Sequence, residues 1–256
     1  MKTFYLTEGG NWGDCFTPFL FREHYGVEIE QCGPEQAALF STGSILSAAP
    51  DGFAGHVLGS GLMDFGHGNN RDFRLDPLDL TSARVHLLRG HQTRNLCVIG
   101  KRWEDAVVLG DPGILAYLLA KPTSTEFEHG VIPHYVEQNN PQIELWRSRG
   151  ANIIDVQSGV QNVIDEANKC AKIVSSSLHG LVLADSLGIP NHMVRLHDYR
   201  VWLRGFKFDD YYSVFGERAF PTESLAEAFT LCRVRDTSEV KNNVKRVFDS
   251  FVRNFL

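Results

Sequence analysis

The segment SSSLHG, residues 175–180, places three hydroxyls and a titratable imidazole where a strand is predicted to end and a helix to begin. The preceding residues 172–174 have the apolar character of a short buried strand, and Ser177 is a residue type that caps helices. Gly188 and Pro190 are suited to end that helix. The residues alone therefore leave two interpretations open: a capped helix with an incidental histidine, or an anion site with its own proton donor.

His179 is the residue of this segment that can transfer a proton. Free backbone N–H groups and the helix dipole attract anions to a helix start, and the same field lowers the pKa of an imidazole there. We therefore expect a neutral ring in the absence of a ligand. A bound dianionic phosphate would favour the imidazolium, so His179 would become an acid when the ligand is present.

Composition narrows the class of protein. The chain has 256 residues, 43% of them hydrophobic, and a formal net charge of −6, which argues against a nucleic-acid binder. Five scattered cysteines without a C-x-x-C pair indicate free thiols in a reducing compartment. The histidines form no H-x-x-x-H pattern, so we expect no metal site. No apolar run is long enough for a transmembrane helix, and the first residues do not fit a signal peptide.

Short apolar runs alternate with amphipathic segments along the chain, a pattern typical of an α/β fold. We predict strands at residues 3–6, 38–41, 56–59, 84–88, 106–109, 130–132, 152–155, 172–174 and 191–194. We predict helices at residues 15–25, 114–119, 141–149, 160–168, 178–187, 222–232 and 238–255.

The polar segment KPTSTEFE, residues 121–128, is the best candidate for a linker between domains. It separates a first domain, residues 1–120, from a second, residues 121–236, with a C-terminal helix at residues 237–256. Most predicted strands end in glycine or small polar residues, and ligands of open α/β sheets bind beyond the carboxyl ends of the strands. We therefore expect two sheets that face each other across a ligand cleft.

Several motifs closely resemble those of the polysaccharide pyruvyl transferase family, especially its succinoglycan-type branch, and they occur in the family's order. They are GNWGDCFTP at residues 10–18, VLGSGL at 57–62, LLRGHQT at 87–93, VVLGDPGIL at 107–115, IPHY at 132–135, IVSSSLHGLVLADSLGIP at 173–190 and FDDYYSVFG at 208–216. The resemblance therefore spans nearly the whole chain.

This resemblance implies a GT-B-like fold, with two Rossmann-like parallel-sheet domains and the active site in the cleft between them. It also implies an enzyme that transfers the pyruvyl group of phosphoenolpyruvate to two hydroxyls of a sugar, forming a cyclic ketal and releasing phosphate. No cofactor is expected beyond phosphoenolpyruvate as donor substrate, and the location is expected to be cytoplasmic. A lipid-linked sugar or oligosaccharide acceptor would bring the chain to the inner face of the membrane.

The family's motifs carry over to a donor site in the second half of the chain. His179 would protonate the methylene carbon of phosphoenolpyruvate, and the start of the helix would bind the phosphate. We assign to the donor site Ser176, Ser177, Leu178, Gly180 and His134.

The donor site needs a cation, and the sequence departs from the family at this point. A basic variant of the motif has arginine two residues before the histidine, where this chain has Ser177. Arg89 is our first candidate to replace that charge, because arginine binds phosphate or carboxylate through a bidentate fork. An ordinary structural arginine is the alternative for Arg89. Weaker candidates are Arg94, Arg195 and Arg200.

The first half of the chain would bind the acceptor. Asp14 could orient a sugar hydroxyl or cap the following helix, and capping is the favoured role because Asp is a preferred N-cap residue. Asp111 in LGDPG is expected to organise a turn. We assign to the acceptor site Asn11, Trp12 (as a ring that stacks on the sugar), Gly13, Asp14, Gly59, Ser60 and Gly61.

Two other functions remain open from the sequence. A GT-B glycosyltransferase would share the fold and would place a helix start against a nucleotide-sugar diphosphate, although a clear E-x₇-E pattern is absent here. A non-catalytic carbohydrate-binding protein could keep the same fold after losing its chemistry.

Overall fold

The computed structural model describes residues 1–6, 10–63, 77–196 and 205–256, and within them the fold is α/β. The strands are β1 Lys2–Phe4, β2 Glu30–Gln31, β3 Leu39–Phe40, β4 His56–Leu58, β5 Leu78–Leu80, β6 Arg84–Leu88, β7 Cys97–Ile99, β8 Val108–Leu109, β9 Phe127–Ile132, β10 Asn152–Ile153, β11 Cys170–Ser175 and β12 Asn191–Met193. The α-helices are α1 Trp12–Tyr25, α2 His91–Asn95, α3 Lys101–Glu104, α4 Pro141–Ser148, α5 Val160–Asn168, α6 Leu178–Leu187, α7 Phe206–Ser213, α8 Leu225–Thr230 and α9 Ser238–Phe255. The longest of the 3₁₀ helices is Pro112–Leu118.

Two parallel sheets organise the fold. The first has the strand order β2-β1-β3-β4-β6-β8 and the second the order β10-β9-β11-β12, while β5 and β7 form a small separate pair. In each main sheet the first strand in sequence lies between the second and third, so the order reverses between β1 and β3 and between β9 and β11. Such reversal points leave a crevice at the carboxyl ends of the strands, where ligands of α/β proteins bind.

Every predicted strand and helix has a counterpart in the structure, with ends that differ by a few residues. Residues 114–119, predicted as α-helix, belong to the 3₁₀ helix Pro112–Leu118. The sequence did not predict β2, β5, β7, α2, α3 and α7, none of which shows a sustained hydrophobic period. The first main sheet precedes residue 110 and the second follows residue 126, but the predicted domain boundaries stay a prediction.

Helix α6 lies at the centre of the fold and is buried on nearly every side, as expected of a helix without a polar face. It packs between β11 and the 3₁₀ helix Pro112–Leu118. The Ser186 hydroxyl ties these elements together, because it donates to Ile114 O at 2.7 Å and accepts from Tyr117 N at 2.9 Å. These contacts hold the last turn of α6 on the 3₁₀ helix and so orient the helix that His179 begins at its other end.

The C-terminal helix α9 packs against the first sheet. Phe248 and Phe251 are buried beside Phe21 of α1, and Tyr25 donates to Asp249 at 3.0 Å. No helix in the described ranges combines the length and apolar character that a bilayer crossing requires. All five cysteines are free.

Candidate active site

A cleft of about 230 Å³ opens where the loops that follow both main sheets meet. Its described lining comes from segments after β1, β3, β4, β9 and β11 and from the start of α7: Leu6, Asn11, Asp14, Ser44, Met63, His134, Tyr135, Ser177, Leu178, His179 and Lys207. The register of β11 against β9 pairs Ser175 with Ile132, so the turns after these two strands lie side by side. The cleft thus occupies the carboxyl-end crevice at both reversal points.

His179 is the second residue of α6, and its side chain is 12% exposed at the wall of the cleft. Nε2 is turned into the protein and lies 3.7 Å from Asp111 Oδ2. The other side of the ring presses against α1, where a Cβ on Gly13 would overlap Nδ1 and two ring carbons. Gly13 therefore provides the space that the imidazole occupies, rather than a surface for an acceptor.

The surroundings of His179 keep its imidazole neutral. Burial lowers the pKa of His179 to about 3, with further lowering from the charges of Lys207 and Arg89 and from His134. The direction agrees with the expectation from the helix start, although desolvation is the largest cause. A bound anion would oppose these effects and raise the pKa of His179.

The serines of SSSLHG have different roles. Ser175 Oγ donates to Ile132 O at 2.7 Å, and Ser176 Oγ donates to the Glu137 carboxylate while it accepts from His134 N at 3.0 Å. Ser176, predicted to bind the donor, therefore ties the turn after β11 to the turn after β9. Ser177 holds the N-cap position of α6 but its side chain makes no capping bond, and it lines the cleft.

The two flanking residues of His179 also differ. Leu178 lines the cleft from a largely buried position. Gly180 faces away from it, because a Cβ there would overlap Ser175 Oγ and crowd Ile132. Gly180 therefore allows α6 to pack closely on the ends of β9 and β11.

Arg89, our first candidate for the phosphate-binding cation, is fully buried beneath the cleft. Its Nε donates to Asp210 Oδ2 at 2.9 Å, and its two terminal nitrogens donate to Ser44 Oγ and Leu62 O. Thr93 completes the cluster through N–H and hydroxyl bonds to Asp210 at 2.8 and 2.6 Å. The guanidinium thus joins the end of β6 to α7, in agreement with the structural alternative.

The glycine-rich turn after β4 lies below the cleft, although we predicted acceptor contacts for it. Gly61 makes room for the Arg89 guanidinium, and Gly59 makes room for the Pro112 ring at a φ of 95°. Ser60 is buried and donates to Gly43 O at 3.1 Å. These residues hold the loops that carry the cleft wall.

At the start of α1, Asn11 takes the capping role that we expected of Asp14. Asn11 is the N-cap, because its backbone is extended and its Oδ1 accepts from the N–H groups of Gly13 and Asp14 at 3.0 and 3.4 Å. Asp14 lines the cleft and accepts from Asn11 Nδ2 at 2.6 Å. Burial raises the pKa of Asp14 to about 6, opposed by the Asn11 backbone bond and the charge of Lys207.

Trp12, predicted to stack on a sugar ring, is only 2% exposed. Its ring packs on Phe16 and lies 6.2 Å from the His179 ring between centroids. The aromatic side chain that does lie open at the cleft is Tyr135, which is 44% exposed.

Lys207, in the first turn of α7, lines the cleft and was not singled out by the sequence analysis. Among the described cleft-lining residues it is the one with a permanent positive charge, and that charge lowers the pKa values of Asp14, His134 and His179. His134, just after β9, lines the cleft, and burial lowers its pKa to about 4, while its contact with the donor stays a prediction. The signal for Lys207 in the sequence was its position immediately before the motif at residues 208–216.

The weaker arginine candidates lie elsewhere. Arg94 pairs with Glu104 at 3.5 Å and Arg195 with Glu223 at 3.3 Å, and neither lines the cleft. Arg200 is outside the described residues. Asp111 caps the 3₁₀ helix through a 2.8 Å bond from Gly113 N, so its predicted turn role is confirmed. In the described ranges, no three His, Cys, Asp or Glu side chains are grouped to hold a metal ion.

The parallel sheets, the buried histidine at the start of α6 and the crevice at the strand ends define an α/β protein with a candidate site at the carboxyl ends of its strands. The model of the polysaccharide pyruvyl transferase family matches residues 56–198, more than half of the chain, and this chain belongs to that family. The succinoglycan biosynthesis protein ExoV of Rhizobium meliloti is 27% identical over 248 residues, which are 89% of this chain and 70% of that protein.

A second relative comes from a virus. The uncharacterized protein L143 of Acanthamoeba polyphaga mimivirus is 37% identical over 138 residues, which are 51% of this chain and 48% of the viral protein. The chain therefore matches only about half the length of that relative. No solved structure matches the chain significantly.

Proposed function

We propose that this chain transfers the pyruvyl group of phosphoenolpyruvate to two hydroxyls of a sugar in a polysaccharide or its precursor, as a cyclic ketal. Family membership supports the reaction class. The observation that carries the proposal is the position of His179: a neutral, largely buried imidazole at a helix start, in a cleft that also holds Lys207. This is a site in which a bound anion would charge the acid that acts on it.

The donor phosphate would bind at the start of α6. The first N–H groups of this ten-residue helix, the Ser177 hydroxyl and the Lys207 ammonium are the donors that we assign to the phosphate. Lys207 would thus supply the charge that the family's arginine variant carries at the position of Ser177. Arg89 adds a positive field from below without contact, as its influence on the pKa of His179 indicates.

The chemistry needs one proton on carbon and a path for two hydroxyl protons. His179 gives a proton to the methylene carbon, and an acceptor hydroxyl attacks the oxocarbenium-like centre. The C–O bond to phosphate then breaks and the second hydroxyl closes the ketal. One hydroxyl proton restores His179, and the other passes through the Asp14 carboxylate to the departing phosphate, so that atoms and charge balance.

The acceptor would lie on the α1 side of the cleft. The Asp14 carboxyl, with a pKa raised to about 6, is suited to take a proton from a sugar hydroxyl near neutral pH. The exposed Tyr135 ring offers an apolar face for a sugar. A GT-B arrangement of two Rossmann-like domains with the cleft between them, and a cytoplasmic location near a lipid-linked acceptor, belong to the same proposal.

The reaction itself is tested by incubating the protein with phosphoenolpyruvate and candidate oligosaccharides. We expect acceptor-dependent phosphate release and an acceptor whose mass increases by one pyruvyl ketal. Phosphoenolpyruvate at a hundredfold excess over its Kd should also stabilise the fold by about 2.7 kcal/mol. Stabilisation by a nucleotide sugar with none by phosphoenolpyruvate would favour the glycosyltransferase, and binding of oligosaccharide without any turnover would favour the non-catalytic alternative.

Lys207→Gln is expected to raise the KM for phosphoenolpyruvate about tenfold or more, because a charge-assisted bond to phosphate contributes roughly 1.5–3 kcal/mol. The effect on the KM for the acceptor should be much smaller. The matched control is Lys101→Gln, which removes an exposed charge that does not line the cleft. Equal donor KM values for the two variants would show that Lys207 does not bind the donor.

A further inference from the structure

Asp111 is a buried carboxylate that the reaction as described does not use. Its side chain is fully buried, and Oδ1 is fixed by the 2.8 Å bond from Gly113 N. Oδ2 has no hydrogen-bond partner among the described residues, and the same is true of His179 Nε2, which lies 3.7 Å away. Two buried polar atoms therefore face each other just beyond hydrogen-bond distance.

The elements around the pair hold it in place. Asp111 is the N-cap of the 3₁₀ helix Pro112–Leu118. Ser186 of α6 is hydrogen-bonded to this 3₁₀ helix, and His179 is in the first turn of α6. The two side chains are thus carried by elements that pack directly on each other, with 3.7 Å between Oδ2 and Nε2. The remaining lone pair of His179, on Nδ1, lies on the α1 side, where Asn11 and Asp14 line the cleft.

We propose that Asp111 is a positioning residue for His179: its Oδ2 accepts the Nε2 proton, so the proton that is transferred to the substrate occupies Nδ1. A neutral imidazole carries one N–H, and the tautomer is set by the partner of that N–H. A buried carboxylate accepts and cannot donate when ionised, so it selects the Nε2–H form. The transfer of the Nδ1 proton to the substrate rests on the proposed function. The choice of the Nε2–H tautomer does not depend on it.

The pair also explains how an imidazolium could form in a buried site. When a bound anion draws a second proton onto Nδ1, the Asp111 carboxylate offsets the charge from the opposite side of the ring. The other charged or titratable groups that influence His179 are Lys207 on α7, Arg89 after β6 and His134 after β9. None of these three can accept the Nε2 proton from the position that Asp111 holds.

The test is ¹⁵N NMR of histidine-labelled protein without substrate, with Asp111→Asn as the variant. In the wild type we expect the His179 signals of the Nε2–H tautomer. In Asp111→Asn the amide oxygen should keep the bond from Gly113 N, so the amide N–H₂ faces Nε2 and the ring switches to Nδ1–H. An Nδ1–H ring in the wild type, or an unchanged tautomer in the variant, would overturn the proposal; the wild-type spectrum decides even if the variant fails to fold.

Kinetics supply the second readout. Asp111→Asn should lower the phosphate-release rate about 10²-fold, which is the lower end of what general acid catalysis contributes. The limb of the pH–rate profile that reports the pKa of His179 should move to lower pH, because the variant lacks the carboxylate that stabilises the imidazolium. A variant with an unshifted pH profile and a wild-type rate would contradict the role in catalysis. If the wild type itself releases no phosphate, the proposed function fails while the NMR result on the tautomer still stands.

Discussion

Gly13→Ala is expected to lower the rate of pyruvyl transfer by about 10²–10⁴-fold, to the level of His179→Ala, because it displaces the acid. A Cβ at Gly13 would overlap Nδ1, Cγ and Cε1 of the His179 ring, which are not the far end of a flexible side chain. The ring must therefore leave the position that it occupies between Gly13 and Asp111. The measurement is phosphate release from phosphoenolpyruvate with a saturating acceptor.

The stability of the same variant separates this cause from a damaged helix. Gly13 lies inside α1, where alanine alone would be favoured by about 1 kcal/mol. Overpacking against His179 should instead lower the free energy of unfolding by about 1–3 kcal/mol. Gly33→Ala is the matched control, because nothing lies within 4 Å of a Cβ there and its φ of −70° suits alanine.

A double-mutant cycle makes the clash itself measurable. When His179 is already alanine, Gly13→Ala has nothing to collide with and should be neutral or stabilising, which gives a coupling energy of about 1–3 kcal/mol. Additive free energies in the cycle, or full activity of Gly13→Ala, would show that Gly13 does not make the space for the acid.

The segment that could be predicted best from the sequence is the one around His179. The bounds predicted for α6, residues 178–187, are those observed, because a serine at the start and Gly188 at the end are strong local signals. The cleft at the strand ends could also be expected, since the alternation of strands and helices already implies parallel sheets. The first prediction depends on neighbours within a few residues, and the second on a pattern that repeats along the chain.

The errors arose where the decisive neighbour lies far along the chain. Arg89 is a plausible phosphate ligand until its partner Asp210 is known, and 121 positions separate them. Lys207 was missed because α7 has no clear hydrophobic period of its own, with Asp210 buried among its aromatic residues. Asn11 and Asp14 are both good caps, so spacing could not decide which of them caps α1.

The charged and titratable groups at the cleft influence one another. The charges of Lys207 and Arg89 lower the pKa of His179, in addition to the larger effect of burial. Burial raises the pKa values of the Asp14 and Asp111 carboxyls to about 6. Asp210 pairs with Arg89, so Lys207 is the cation that lines the described cleft wall. The Asp14 and Asp111 carboxyls lie on opposite sides of His179, and a bound anion would raise their pKa values further.

Arg89→Met is expected to lower the free energy of unfolding by about 3–5 kcal/mol, as is typical when one partner of a buried ion pair is removed. The Arg89 and Asp210 side chains are both fully buried at 2.9 Å, and the substitution leaves the carboxylate with bonds from Thr93 alone. Chemical denaturation measures the loss. Arg94→Met is the matched control: its ion pair with Glu104 is partly exposed, so we expect a change below about 1 kcal/mol.

The double variant Arg89→Met/Asp210→Leu distinguishes the two roles considered for this arginine. If Arg89 joins β6 to α7, removal of both charges should recover part of the stability that the single substitution loses, because no unpaired charge remains. A normally stable Arg89→Met protein with a strongly raised KM for phosphoenolpyruvate would instead restore Arg89 as the donor-binding cation. Lys207 lies in the first turn of α7, the helix that Arg89 holds through Asp210. If Arg89 has the structural role, Arg89→Met should therefore lower stability and, as an indirect result, also weaken donor binding.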